Sequence, residues 1–401
     1  CKVLSSSALR AVLRRISGPD RWVLGGLPDL PDGFFRGFKL TWPGRVETGL
    51  KVLEWRAETG EIQVAGTLPT NLEAGAICEL QLGEEAPVLA ARVITATAGD
   101  AALPPLRMRL ATTRGTNALL EEKGCPPLLF VNAGLEDLLL IGDQRRSDLF
   151  ALNPARPAPL HGLVVPVSGR LDAEGREVIP LDPAAIDRAA EAGLGQGHRT
   201  AVVCLMHSYR NPSHERIVAE RLRAKGFEHV SVSSDLAAMI KIVPRCETAV
   251  VDAYLAPIMN AYLDSVGGVI GADRLHVMTS SGGLVTRDAY RPKDSLFSGP
   301  AGGVVGTAAI ARQTGEDRVI AFDMGGTSAD VARYDGEFDY QFRQSVGRAT
   351  VLAPGLKIES VAAGGGSICR FDGRVLTVGP ESAGASPGPA CYGAGGPLTL
   401  T

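Results

Sequence analysis

The stretch Val319-Ile-Ala-Phe-Asp-Met-Gly-Gly-Thr-Ser-Ala-Asp-Val-Ala-Arg-Tyr334 decides how this chain is read. Val319–Phe322 and Val331–Tyr334 are short runs rich in β-branched and aromatic residues, and Asp335–Gly336 supplies the next turn, so the segment reads as two strands joined by a bend. A dinucleotide-binding glycine fingerprint lies between a strand and a helix; here a strand follows the glycines, which removes the Rossmann reading. The bend has its own chemistry. Gly325 and Gly326 carry no Cβ, so successive N–H groups can converge on phosphate oxygens. Thr327 and Ser328 add hydroxyl donors, and Asp323 and Asp330 are hard oxygen groups that suit Mg2+, directly or through its waters. Taken alone, the octapeptide also fits a plain Gly-Gly hairpin with two solvated aspartates.

Other glycine-rich stretches surround it. Ser298-Gly-Pro-Ala-Gly-Gly-Val-Val-Gly306 opens a helix of small residues through Ala311, with Ser298 the expected N-cap; its glycines suit either an anion at the helix end or tight packing. Gly364-Gly-Gly-Ser367 follows a strand over Ile358–Val361, where bare backbone can lie flat against an adenine ring or simply turn. Thr112-Thr-Arg-Gly-Thr-Asn117 precedes a helix expected over Ala118–Lys123, with Thr116 or Asn117 as its cap. His207, His214 and Glu215 are metal-ligand types, but no third ligand falls at useful spacing, so a structural loop is expected.

Composition bounds the rest. Among 401 residues, 45% are hydrophobic and 21% charged, ordinary globular usage for two to three domains. With 41 Lys+Arg against 44 Asp+Glu and no dense basic run, a nucleic-acid surface is not indicated. Apolar runs such as Leu135–Ile141 fall far short of a membrane span, and no signal-peptide pattern follows Lys2, Arg10, Arg14 and Arg15. Seven cysteines without a Cys-x-x-Cys pair point to a reducing compartment, the cytoplasm.

Along the chain, residues 1–16 read as a helix, and Gly33–Thr97, including the run Val88–Ile94, as a small β-rich module ending near Pro104–Pro105. From Met108 the pattern is α/β: a strand at Arg199–Met206, a helix at Pro212–Lys225 closed by Gly226, a strand at His229–Val232, and a long helix at Val243–Val266 interrupted or bent near Pro257. The first three make a βαβ unit in a parallel sheet.

The combination resembles the hydantoinase A / 5-oxoprolinase family, with the 5-oxoprolinase branch the nearer. The resemblance rests on Asp323–Val331, Leu296–Gly306, Val361–Ser367, Val378–Gly393, Thr112–Leu120, His207–Glu215 and Val251–Leu255, and covers roughly residues 106–401. It implies an actin-like ATPase fold of the ribonuclease H-like type shared by Hsp70 and sugar kinases, with ATP between two lobes. Asp323–Asp330 would be its second phosphate loop, and Gly364, Gly365, Gly366 and Ser367 its nucleoside-side motif. The family's A-type half uses ATP and Mg2+ to phosphorylate a lactam or cyclic imide oxygen, and a B-type half, fused or separate, completes ring opening.

On this resemblance Asp323 handles Mg2+ or the attacking water and Asp330 supports it. Gly325, Gly326, Thr327 and Ser328 take phosphates. Arg114, Gly115, Thr116 and Asn117, with Ser281, Gly282 and Gly283, contact the cyclic amide. The expected organisation is a lobe I helical segment at 1–32, the β-rich module at 33–104, an α/β lobe I region at 105–312 and the start of lobe II at 313–401, with room for a homo-oligomer. Three features depart from the family. No first phosphate loop precedes Cys1. The chain stops at Thr401 where members continue, so a fragment with little turnover of its own is expected. Ala329 stands where Thr is common. A noncatalytic nucleotide switch and an acetone carboxylase-like subunit are the rival readings.

Overall fold

A computed structural model describes residues 7–42, 49–66, 72–143, 150, 152, 158–384, 388–393 and 395–401. The chain divides into two compact units, one of Cys1–Leu110, Ala261–His276 and Thr286–Asp288, the other of Ala111–Asn260, Val277–Val285 and Ala289–Thr401.

The first unit contains the expected β module as a closed barrel. Its strands are β1 (Ala8–Ile16), β2 (Arg21–Gly25), β3 (Lys39–Thr41), β4 (Leu50–Arg56), β5 (Glu61–Ala65) and β6 (Ile77–Gln81), joined in the order β1-β2-β5-β4-β3-β6. Closure leaves no free sheet edge. Inside, Phe34, Phe35 and Phe38 are fully buried beside Trp22 and Trp55, and Phe35 meets Phe38 and Trp55 edge-on at 5.3 and 5.0 Å.

Two sequence expectations fail here. The described part of the stretch read as a helix over 1–16 is β1, part of the β module and not of a helical lobe; residues 1–6 lie outside the described residues. Its apolar spacing suits a helix, but pairing with both β2 and β6 decides the outcome, since strand preference follows the neighbours a segment packs against. Conversely, Val88–Ile94 lies in helix α1 (Ala86–Thr95), not in strand. Val88, Leu89 and Arg92 share its buried face, and the Arg92 guanidinium donates to both Glu84 carboxylate oxygens at 2.7 Å.

In the second unit, β7 (Leu128–Asn132), β8 (Val164–Val167), β9 (Thr200–Cys204) and β10 (His229–Val232) form a fully parallel sheet in the order β10-β9-β7-β8. Every residue of β7 and β9 is buried, the signature of a sheet covered on both faces. The expected crossover helix is α2 (Ser213–Lys225), ended by Gly226 in the left-handed region, and the long helix is α3 (Ile242–Ile270), whose residues up to Asn260 belong to this unit, with Pro257 inside it.

The His207–Glu215 motif ties the carboxyl end of this sheet. Glu215, fully buried, accepts from Leu205 N at 2.8 Å, Ser208 Oγ at 2.8 Å, Ser233 Oγ at 2.6 Å and Ser234 N at 2.9 Å. The buried Arg245 guanidinium joins it through Ser208 Oγ and the Leu205 carbonyl.

A second buried knot joins α3 to β10. Asp252 accepts from Ser231 Oγ at 2.7 Å and from Lys293 N at 3.0 Å, and lies 3.1 Å from His229 Nε2. Burial alone would push this carboxyl up. The His229 ring, the Lys293 N–H and the Ser231 hydroxyl together outweigh burial and hold it below the ordinary value. A depressed folded-state pKa contributes stability above the unfolded carboxylate range, and that contribution disappears as pH falls through the depressed value. Asp252→Asn should therefore lower stability to urea at pH 7 by about 2–3 kcal/mol. The gap from wild type should narrow as pH drops below about 4. Urea midpoints across this range check both expectations.

Candidate functional site

The second unit contains the hairpin that the sequence predicts. Strands β11 (Arg318–Met324) and β12 (Ala329–Asp335) pair antiparallel, with Asp323 opposite Asp330, and β13 (Glu359–Val361) extends the sheet on the β12 side. One face of the hairpin packs on helix α4 (Ser298–Thr314), burying Ala332 and Tyr334 against Ala301, Val304, Ala308 and Ala311. A cleft between them is lined by Pro300, Gly303, Val304 and Thr307 of α4 and by Ala321, Phe322, Asp323, Asp330, Ala332 and Ile358. Both carboxylates thus face one cleft whose lining includes no basic side chain. Both are hard oxygen donors of the kind Mg2+ takes, one or two at a time, beside phosphate and water. Among the described residues no cluster of three or more His, Cys, Asp or Glu could hold a metal alone. Mg2+ held there would draw most of its ligands from phosphate and water, as is usual for that ion.

At the bend, Gly325 N donates to Ser328 O at 2.9 Å. The N–H groups of Gly326, Thr327 and Ser328 have no acceptor among the described residues. An added Cβ on Gly326 would meet nothing within 4 Å, so its outer side is open.

The triple glycine lies against this bend. Gly365 N donates to Gly325 O at 3.0 Å and Gly366 N to Gly326 O at 2.7 Å. A Cβ on Gly364 would come within 2.6 Å of the Gly326 carbonyl carbon, and one on Gly366 within 2.8 Å of its oxygen. These glycines are therefore required by close approach to the protein's own backbone. Ser367 Oγ accepts from Gly364 N at 2.9 Å, closing the turn. Ser382 stands beside the bend, its Oγ 3.5 Å from both Gly326 O and Thr327 Oγ1.

The remaining expected residues gather around the start of α4. Helix α4 begins at Ser298 itself, so Phe297, not Ser298, is its N-cap. Ser298 Oγ instead donates to Met278 O at 2.7 Å and accepts from Thr112 N at 3.3 Å. The helix expected from Ala118 starts earlier, spanning Arg114–Leu120, so Thr116 and Asn117 lie within it and do not cap it. Its first N–H, on Arg114, is met by Thr112 Oγ1 at 3.1 Å, and Thr116 Oγ1 donates to Leu296 O. Gly115 fits against Ser295, whose Oγ an added Cβ would overlap. Ser280 ties the Ser281–Gly283 turn to the same segment, giving its N–H and hydroxyl to Asp294 O, each at 2.8 Å, and accepting from Phe297 N at 3.1 Å. Gly282 has φ +81°, the left-handed region.

One helix thus serves both groups: Gly299 and Gly302 approach Thr113 and Ala111, while Pro300 and Gly303 line the cleft with Asp323 and Asp330. Sequence reading did not single out Ser360, Ser382 or Thr307, because their placement depends on strand register and helix docking and not on local spacing.

Two solved structures resemble this architecture. An ATP-dependent caprolactamase from Pseudomonas jessenii matches 91% of this chain and 53% of its own, with TM-score 0.65 and 30% identity. A nucleotide-free acetone carboxylase matches 69% of this chain and 42% of its own, with TM-score 0.58 and 28% identity. The family profile described as Hydantoinase/oxoprolinase matches residues 245–401, and that of the Hydantoinase/oxoprolinase N-terminal region matches 84–226. The chain belongs to the hydantoinase/oxoprolinase family. Among its relatives, 5-oxoprolinase 1 of Arabidopsis thaliana is 40% identical over 318 residues, covering 73% of this chain and 25% of the relative. The chain therefore spans about a quarter of the length of that relative.

The contrast between the two glycine sites is testable. Gly364→Ala should cost about 1–3 kcal/mol, because backbone must move to admit the methyl group. Gly326→Ala, pointing into open space, should stay within about 0.5 kcal/mol of wild type. Thermal or urea unfolding of the two variants measures the difference.

Proposed function

We propose that this chain is the ATP-using half of an enzyme that opens a lactam or cyclic imide of the 5-oxoproline or hydantoin type, built on an actin-like ATPase fold. The observation that carries the reading is the pairing of the Asp323–Asp330 carboxylates beside an exposed bend whose Gly326, Thr327 and Ser328 N–H groups have no acceptor among the described residues. Names among the relatives, 5-oxoprolinase and caprolactamase, support a cyclic amide as substrate. Among the described residues no helix is long and apolar enough to cross a membrane.

An unstrained lactam resists water because its nitrogen donates into the carbonyl. Transfer of the γ-phosphoryl group of ATP to the carbonyl oxygen forms an O–P bond as the bond to ADP breaks. The ring carbon is then electrophilic: water adds to it, the ring C–N bond breaks as the nitrogen takes a proton, and the resulting acyl phosphate gives up phosphate to a second water. Such a transfer needs mainly positioning and charge neutralisation. The N–H groups of Gly326, Thr327 and Ser328 donate to phosphate oxygens, with the Thr327 and Ser328 hydroxyls beside them. Gly364–Ser367 hold the bend in place and, in this reading, adjoin the nucleoside. Asp323 and Asp330 are the residues that would hold Mg2+, which supplies positive charge against the developing phosphate charge. Arg114, Gly115, Thr116 and Asn117, with Ser281–Gly283, contact the cyclic amide. Ring opening is completed by a B-type partner, as the name of the related caprolactamase subunit alpha suggests.

The test is ATP turnover by the protein with its B-type partner. 5-Oxoproline or hydantoin should stimulate ADP release, and Asp323→Asn should lower the stimulated rate by roughly a hundredfold or more. Stimulation only by acetone with bicarbonate would favour a carboxylase. Turnover indifferent to every substrate would favour a nucleotide switch, and an unaffected Asp323→Asn would remove the proposed site.

A further inference from the structure

The three-stranded sheet sets three oxygen-bearing side chains in one transverse row. Asp323 pairs with Asp330, and Asp330 in turn pairs with Ser360 on β13. In a pleated sheet, residues directly opposite each other project from the same face, so the row runs along the face that carries the cleft. Two residues along, the same face carries Ala321, Ala332 and Ile358, which are apolar and line the cleft floor. Ser360 Oγ donates to Asp330 Oδ1. That bond fixes one carboxylate oxygen and leaves Oδ2 with no hydrogen-bond partner among the described residues.

We propose that Ser360 is a positioning residue for Asp330, orienting its carboxylate so that a divalent cation is held between the two aspartates. This rests on the reading of the cleft as a Mg2+–nucleotide site. A carboxylate that swings between rotamers must be ordered before it can bind a cation, whereas one already engaged at Oδ1 presents its other oxygen at lower cost. The role belongs to metal affinity. Ser360 lies in the strand before the glycine turn and makes no hydrogen bond to Gly325–Ser328 among those described, so it does not set the geometry of the phosphate-binding amides.

The two quantities can be measured separately in the full protein, using Mn2+ and a nonhydrolysable ATP analogue as probes. Ser360→Ala should raise the Mn2+ concentration for half-saturation of the analogue-bound protein about tenfold. Binding of the analogue in EDTA should be unchanged, and Ser360→Thr, which retains the hydroxyl, should restore the Mn2+ response. Wild-type Mn2+ dependence in Ser360→Ala would overturn the proposal. Equal weakening with and without metal would also overturn it, showing a structural strut of the bend. Absence of analogue binding by wild type under either condition would instead overturn the nucleotide reading on which the proposal stands.

Discussion

The contact between two stretches of bare backbone, Gly364–Gly366 and Gly325–Gly326, is the constraint on which the site depends. The hairpin bend exposes the N–H groups of Gly326, Thr327 and Ser328, which have no acceptor among the described residues. Here the carbonyls of Gly325 and Gly326 are claimed by Gly365 N and Gly366 N. With the carbonyls engaged on one side, the amides remain on the other. Side chains at 364 or 366 would force the two backbones apart, so glycine at these positions is a packing requirement that shapes the exposed surface of the bend.

The second unit holds that surface with buried polar knots as well as apolar packing. Glu215 and Arg245 close the carboxyl end of the parallel sheet, and Asp252 joins α3 to β10 and to Lys293. Two residues beyond Lys293, Ser295 packs on Gly115, and Ser280 binds Asp294 and Phe297. The chain from 292 to 298 is therefore fixed before it enters α4. Because α4 carries Gly299 toward Thr113 and Gly303 toward the carboxylate cleft, order imposed at its start is transmitted to the row of acidic residues. Removing one member of such buried networks leaves the others desolvated and unpaired, which is why their loss costs more than one hydrogen bond.

Much of this was legible in the residues. The hairpin at 318–335 followed from two β-rich runs about a glycine bend, and the βαβ unit from its periodicities. The errors share a cause. Residues 8–16 have a spacing compatible with either helix or strand, and only partners at 21–25 and 77–81 choose between them. The residue types of Val88–Ile94 favour strand, whereas Pro87 in the first turn and the buried triplet Val88, Leu89, Arg92 carry the helical signal. Ser298 and Thr116 looked like caps because hydroxyls at helix starts usually are; in the fold their hydroxyls bind distant carbonyls. Ser360 was invisible because its partner lies thirty residues away across a sheet.

We propose that the bend after Asp323 receives the phosphates of a nucleotide while the paired aspartates receive the accompanying cation. A crystal structure of the protein with Mn2+ and a nonhydrolysable ATP analogue tests this most directly, since anomalous scattering locates the metal independently of the ligand. The Mn2+ peak is expected beside Asp323 and Asp330, with phosphate oxygens accepting from the N–H groups of Gly326, Thr327 and Ser328. A nucleotide bound away from the bend, or a metal coordinated without either aspartate, would contradict it.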